Sequence, residues 1–192
     1  SSSVFPVPCR AAVFASSYED ACKNNIQELG KSLSKQSWAI CPKIRELDEL
    51  LQGDLSLDVR ESHPEVVFSA WNRAPLNAHK STEDGLSQRL DVLQNVVSQL
   101  FPALQNALRV LPSSSIKKDD IVDAFALMVA ASRPEFLRAL PELADIDTVG
   151  LSRQIWFADV VVQTQQNSQD LHLKLQQQIE YVHSKLVNKS FQ

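Results

Sequence analysis

The stretch Asp58–Asn72, DVRESHPEVVFSAWN, places a polar segment between two apolar runs and sets the order of the elements around it. Apolar and polar residues alternate from Leu55 to Val59, which is the period of a half-buried strand. Pro64 suits the first position of a helix, where its missing N–H has no partner to lose. The stretch therefore predicts a strand over about 55–62 and, directly after it, a short helix.

Outward from this stretch, most of the chain has the apolar spacing of amphipathic helices. The further predicted elements are a proline-pinned arm over 1–16 and helices over about 17–29, 34–51, 82–100, 102–111, 117–132 and 159–189. Ser17 is the expected N-cap of the first of these helices, and Ser81 or Thr82 that of the third. Pro141 to Gly150 is predicted to bracket a loop, and 151–157 is the other candidate strand. The sequence thus predicts an α+β fold that is predominantly helical.

The composition is that of a globular chain of about one domain. Its 192 residues are 44% hydrophobic and 22% charged, which is enough to bury a sizeable core. A net charge of -4 gives no general attraction for nucleic acid, so such a contact would need a local basic patch or a bound metal. No apolar run approaches the roughly 18 residues of a membrane span. The three cysteines lack a close C-x-x-C spacing, and we expect reduced thiols in a cytoplasmic protein.

Acidic residues gather at two places that could hold Mg²⁺ or Mn²⁺. One group contains Glu61 and Glu65, and the other contains Asp119, Asp120 and Asp123. Carboxylates that converge from separate elements can bind Mg²⁺ together with substrate phosphate, and two such ions can promote phosphodiester cleavage. Acids at a helix N-terminus also stabilise the helix by about 0.3–1 kcal/mol without any ligand, and Glu61 alone would be a solvated charge. Asp123 differs because it interrupts an apolar run.

Six blocks of the sequence, taken in order, carry a family resemblance. The blocks are SSVFPVPCRAAV, GKSLSKQSWAICPKIRELD, VRESHPEVVFSAWN, HKSTEDGLSQRLDVL, KDDIVDAFALMVAASR and GLSRQIW. Together they resemble the uncharacterised family of predicted ribonuclease-H-like nucleases known as domain-of-unknown-function family 429. The resemblance covers about residues 2–157. It implies a partial ribonuclease-H-like domain over 1–157. The amphipathic helix that the apolar spacing predicts at the C-terminal end, over 158–192, lies outside the resemblance, and we expect it to pack on this domain or on a second subunit.

The resemblance also implies an acidic metal site. Glu61 matches the glutamate of the family's E-x-H-P-E block, and Asp120 and Asp123 match its DD-x-x-D-A block. Asp119 and Glu65 are secondary candidates in the same blocks. The candidates for contact with phosphate are Lys80, Lys43 and Arg45. A solvated helix face explains the last two of these equally well.

The same resemblance implies that the catalytic set is incomplete. Members of the family begin with further strands, the first of which bears an aspartate in a glycine-rich setting, and no G-x-D precedes SSSVFP here. A ribonuclease-H-like site needs that carboxylate to share its metals, so we expect weak or absent Mg or Mn binding and a vestigial set of Glu61, Asp120 and Asp123. Without its usual neighbours, the strand at 58–62 is expected to leave a sheet edge and apolar helix faces exposed.

Exposed apolar faces predict a homodimer. The C-terminal helix carries five apolar residues on one face, and each contributes about 1.5–3 kcal/mol when fully buried. They are Leu171, Leu175, Ile179, Val182 and Leu186. Two function hypotheses result. The favoured one is a catalytically deficient relative of a nuclease that acts as a homo-oligomeric interaction protein. The other is an active Mg- or Mn-dependent nuclease whose site is completed by a missing segment or by a partner.

Overall fold

The computed structural model describes residues 7–53, 57–113 and 116–159. The elements in these residues are α1 (Arg10–Val13), α2 (Tyr18–Leu29), α3 (Lys35–Gly53), α4 (Pro64–Asn72), α5 (Glu83–Val96), α6 (Phe101–Val110), α7 (Lys118–Ala131), β1 (Leu137–Ile146) and β2 (Ser152–Ala158). They confirm the predicted α+β class with a predominance of helix. None of the described helices has the length and apolar character needed to cross a membrane. The helix predicted over 159–189 lies outside the described residues.

The backbone divides into two compact units, Ser1–Val59 and Arg60–Gln192, and each is described by itself. The predicted boundary at 157/158 remains a prediction. The first unit contains α1, α2 and α3, and α1 contacts both of the other helices. Small side chains such as Ala12 and Ala21 are fully buried there, which lets the helices approach closely. Helix α1 shows that the predicted arm at 1–16 includes one helical turn.

Capping signals in the sequence position the helices as predicted. The Ser17 hydroxyl accepts a hydrogen bond from the backbone N–H of Asp20 (3.1 Å), and Gly30 ends α2 with φ 70°. Pro64 begins α4, with His63 as its N-cap. Thr82 caps α5 by accepting from the N–H of Gly85 (3.0 Å). The local sequence thus determines where these helices begin.

The second unit is built around a core shared by α4, α5, α6, α7 and β2. Seven of its large apolar side chains have no solvent exposure. They are Val67 and Phe68 from α4, Leu93 from α5, Val97 directly after α5, Leu104 from α6, and Val122 and Val129 from α7. This packing holds α4, α5 and α7 in mutual contact.

The two described strands form an antiparallel pair. The register runs from Leu137 opposite Ala158 to Ile146 opposite Ser152, with an irregularity between Leu140 and Asp145. Strand β2 confirms the strand predicted at 151–157. The loop predicted from Pro141 to Gly150 is wrong over its first half, since β1 continues to Ile146. Pairing with β2 overrides the local turn signals, and the Gln154 side chain donates to the carbonyl of Pro141 (2.9 Å) inside the irregularity.

The strand predicted at 55–62 is wrong over the described residues 57–61, which have no regular secondary structure. Only Ser62 makes a bridge, to Trp156 of β2, and the N–H of Trp156 donates to the carbonyl of Glu61 (2.7 Å). A strand needs a neighbour along its length, and here the neighbouring strand meets it at one point before α4 begins. Alternation of side chains alone therefore did not produce a strand.

Candidate functional site

Four charged side chains meet where α4, α5 and α7 pack together, and we call them the charged cluster. They are Glu65 of α4, Lys80 of the loop before α5, Arg89 of α5 and Asp123 of α7. The charges of Lys80, Glu65 and Arg89 all act on the Asp123 carboxyl. The helices bring these residues together although they are up to 58 positions apart in sequence (from 65 to 123).

Lys80 and Asp123 form the first ion pair of the cluster. Lys80 Nζ donates to Asp123 Oδ2 at 2.7 Å, and the Asp123 side chain is 14% exposed. Burial raises the pKa of the Asp123 carboxyl, and the Lys80 ammonium opposes that rise. The hydrogen bond to Asp123 raises the pKa of Lys80 in turn. The other carboxylate oxygen, Oδ1, is buried and has no hydrogen-bond partner among the described residues.

Arg89 and Glu65 form the second ion pair. Arg89 Nε and Nη2 both donate to Glu65 Oε1, the former at 3.2 Å, and the Arg89 side chain is 3% exposed. Arg89 Nη1 donates to the carbonyls of Gly85 (2.8 Å) and Ala78 (3.4 Å). The guanidinium also lies 5.7 Å from the ring centroid of Phe68. The buried Arg89 guanidinium thus donates hydrogen bonds both to α4 and to the loop before α5.

Arg89 was not predicted from the sequence, although a signal for it exists. It follows Leu86 by three positions and precedes Leu93 by four, so it lies on the apolar face of α5. A cation on such a face requires a buried acid as its partner. Glu65, a secondary candidate from the sequence, supplies that acid.

Asp120 and Asp119 lie at the start of α7, on the same helix as Asp123. Asp120 is exposed, and its Oδ2 accepts from the backbone N–H of Lys117 at 3.1 Å. That contact fits the interpretation in which acids stabilise the helix N-terminus. Both carboxylates also raise the pKa of Lys80, less than Asp123 does. Asp119 and Asp120 therefore add negative charge beside Lys80, at the start of α7.

Glu61 is placed differently from the acids of the charged cluster. Its side chain is exposed, and the contact described for it is the backbone hydrogen bond from Trp156 of β2. Within residues 7–53, 57–113 and 116–159, no group of three or more His, Cys, Asp and Glu side chains is arranged to hold a metal ion. The predicted ligand set of Glu61, Asp120 and Asp123 is therefore not assembled in the described part of the chain.

The three candidate phosphate contacts also have different surroundings. Lys80 forms an ion pair with Asp123 within the charged cluster. Lys43 and Arg45 lie on α3, in the first unit, where Lys43 is exposed and Arg45 is half-buried. A role in binding phosphate remains a prediction for all three.

Comparison with known proteins gives one match. Residues 1–143 match the model of a family described as protein of unknown function, DUF429. No curated protein matches the chain, and neither does any solved structure. The relationship to ribonuclease-H-like nucleases rests on the sequence resemblance alone. Since the match spans 143 of the 192 residues, the chain belongs to the DUF429 family of proteins of unknown function.

Proposed function

We propose that this chain is a non-catalytic interaction protein that works as a homo-oligomer and keeps the charged cluster for stability. The observation that carries the proposal is the surface of the β1–β2 hairpin. Leu143 is 86% exposed, and Leu140, Ile146 and Val149 are each between 43% and 53% exposed. A concentration of exposed apolar side chains on one short hairpin is typical of a protein–protein interaction site.

The charges along β1 favour a second copy as the occupant of this surface. Arg138 lies near the start of β1, and Glu142 and Asp145 lie near its end. Two β1 strands that run antiparallel across a two-fold axis would set each arginine near the acids of the other copy. In the described residues β1 pairs only with β2, so its outer edge is open to such a contact.

The charged cluster supports the non-catalytic part of the proposal. A metal bound at Asp123 or Glu65 would have to compete with Lys80 and Arg89, each of which already donates to the carboxylate concerned. Displacing Glu65 would leave the buried Arg89 charge without its acid, which is strongly unfavourable in a protein interior. We infer that these acids balance the charges of Lys80 and Arg89 rather than coordinate catalytic metal ions.

Sequence features beyond the charged cluster are consistent with the same function. The predicted C-terminal helix offers five more apolar positions to a second subunit. The net charge of -4 gives no general attraction for nucleic acid. Cys9, Cys22 and Cys41 are free thiols, which supports the cytoplasmic location that we propose, because thiols stay reduced there.

Replacing Leu143 by lysine tests the oligomer. We expect wild type to have a dimer mass by multi-angle light scattering at micromolar concentration. We expect Leu143→Lys to shift the mass toward the monomer, because a charge is placed within the apolar contact. The matched control is Leu29→Lys, since Leu29 is also an exposed leucine (52%) but lies in the first unit. A monomeric wild type, or equal masses for wild type and Leu143→Lys, would contradict the proposed interface.

The second candidate function is a Mg- or Mn-dependent nuclease, and one observation favours it. Oδ1 of Asp123 is buried without a hydrogen-bond partner among the described residues, and such an orphaned oxygen can accept a cation. Glu61, Asp120 and Asp123 would be the ligands, with further carboxylates from another segment or a partner. Lys80, Lys43 and Arg45 would contact phosphate in that function.

Calorimetric titration with Mn²⁺ separates the two functions. We expect wild type to bind Mn²⁺ no more tightly than Asp123→Asn does, because Lys80 already holds the carboxylate. The matched control is Glu135→Gln, which removes an exposed acid outside the charged cluster. Tight binding that is lost in Asp123→Asn, kept in Glu135→Gln and accompanied by nicking of DNA or RNA would establish the nuclease instead. Thermal melting of each variant shows that the protein remains folded.

A further inference from the structure

A polar groove lies between the loop that follows α4 and one face of α5. It encloses about 290 Å³, and its lining includes Asn72, Leu76, Gln88, Asp91, Val92 and Asn95. The α5 residues of the lining are spaced by three, one and three positions, so they form one helical stripe. The groove volume is just below the range of about 300–1,000 Å³ for small-ligand sites. It therefore suits a small group or a single side chain.

Close packing holds the walls of the groove in place. A Cβ added at Gly85 would lie 2.6 Å from the carbonyl carbon of His79, so the loop rests directly on the α5 backbone. Thr82 Oγ1 donates to the carbonyl of His79 at 2.7 Å. The N–H of Ala78 donates to Gln88 Oε1 at 3.3 Å. The groove is thus formed before any ligand arrives, which reduces the entropy lost on binding.

The polar groups that line the groove are side-chain amides and one carboxylate. Asn72 Nδ2 donates to the carbonyl of Ala74 (3.0 Å), and its Oδ1 can accept a hydrogen bond. Both polar atoms of the Gln88 side chain already have partners. Its Oε1 accepts from the N–H of Ala78, and its Nε2 donates to Asp84 (3.1 Å). Asp91 adds a carboxylate, and none of the described residues that line the groove is basic. The one charge of this lining favours a cationic ligand.

The apolar side chains of the lining favour a guanidinium over an ammonium group. Leu76 and Val92 form part of the lining and pack against the core of the second unit. A guanidinium group is planar, carries five N–H donors and is more weakly hydrated than an ammonium, so it can pack flat on apolar side chains while it donates at its edge. A carboxylate is its preferred partner, through two parallel hydrogen bonds. An anionic ligand would be repelled by Asp91, since the described lining holds no cation to balance that charge.

We propose that this groove binds a guanidinium group, with Asp91 as the charged partner and Asn72 and Asn95 as polar neighbours. The guanidinium comes either from a small free compound or from an arginine side chain of another protein. Both sources present the same chemistry to the groove. The proposal is independent of the oligomer and of any metal chemistry, because Asp91 belongs to neither site.

The test is a titration of the full chain followed by ¹H–¹⁵N correlation spectra. Agmatine represents the free compound, and a blocked Gly-Arg-Gly tripeptide represents the side chain. We expect either probe at millimolar concentration to shift the backbone amides of Asn77, Asp91 and Asn95, all of which line the groove. Asp91→Asn should weaken binding roughly tenfold or more, as expected for loss of a charge-assisted contact. The matched control Glu83→Gln removes a charge from α5 outside the groove and should leave the affinity unchanged.

Citrulline in the tripeptide serves as a neutral isostere of arginine. Shifts with the arginine peptide and none with the citrulline peptide would support the proposal, and the tighter of agmatine and the arginine peptide would identify the source. Absence of groove shifts with both guanidinium probes would overturn it. Equal affinity of wild type and Asp91→Asn would overturn it as well. Asp91 is exposed, so Asp91→Asn is expected to fold, which its amide spectrum shows directly.

Discussion

Replacing Arg89 by methionine is expected to lower the free energy of unfolding by about 3 kcal/mol, near the lower end of the range for breaking a buried ion pair. Glu65 would lose its cation, and the carbonyls of Gly85 and Ala78 would lose a donor. The value lies at the lower end because the Glu65 side chain keeps 28% exposure and can recover some hydration. Urea denaturation at neutral pH measures the change.

Two further variants decide how the Arg89 result is understood. Arg109→Met removes an exposed arginine that bonds only the side chain of Asn106 among the described contacts, so it should change stability by less than about 0.5 kcal/mol. Glu65→Gln combined with Arg89→Met removes both charges, and part of the lost stability should return. If Arg89→Met alone lowers the free energy of unfolding by less than about 1 kcal/mol, the Arg89–Glu65 ion pair does not hold α4 against α5.

Replacing Gly85 by alanine is expected to lower the free energy of unfolding by about 3 kcal/mol, at the upper end of the range for overpacking. The added Cβ would clash with the carbonyl oxygen of His79 and lie 2.6 Å from its carbonyl carbon. Those atoms belong to the backbone, so no side-chain rotation can relieve the contact. The loop before α5 would have to move away from the helix, and the hydrogen bond from Thr82 to His79 would be lost with it.

Gly53→Ala is the matched control for Gly85→Ala. Gly53 is also a helical glycine, and a Cβ there would meet nothing within 4 Å. The control should be neutral or stabilising by up to about 1 kcal/mol, because alanine loses less conformational entropy in a helix. Thermal melts of both variants make the comparison. If Gly85→Ala is as stable as Gly53→Ala, the loop is not packed on α5 as described.

The helices could be predicted from the sequence because their signals are local. Ser17, Pro64 and Thr82 each mark a helix start through backbone groups only a few positions away. The strands depend on partners that are distant in sequence. The alternating segment that ends at Ser62 pairs with β2 through one bridge, at Ser62, and forms no strand. By contrast, β1 forms in spite of Pro141 because β2 pairs with it. Strand prediction failed where pairing, rather than propensity, determined the outcome.

The charged cluster was predictable only in part, for the same physical reason. Asp123 was recognisable as an acid inside an apolar run, and it is indeed largely buried. Its partner Lys80 lies 43 positions away, and only the packing of α5 on α7 brings the two together. Glu65 is paired with Arg89, whereas Glu61, the preferred acid from the sequence, lies beside β2. Spacing could identify unusual residues but not their partners.

The backbone N–H and carbonyl of Ala78 are both hydrogen-bonded by side chains of neighbouring residues of α5. Its N–H donates to Gln88 of the groove, and its carbonyl accepts from Arg89 of the charged cluster. Opening of this loop would therefore break a contact beside the groove and a contact of the charged cluster. Local opening is easiest where few contacts must break, so two contacts at one residue favour a loop that stays closed on α5. Ala78 thus connects the groove and the charged cluster through the backbone of a single residue.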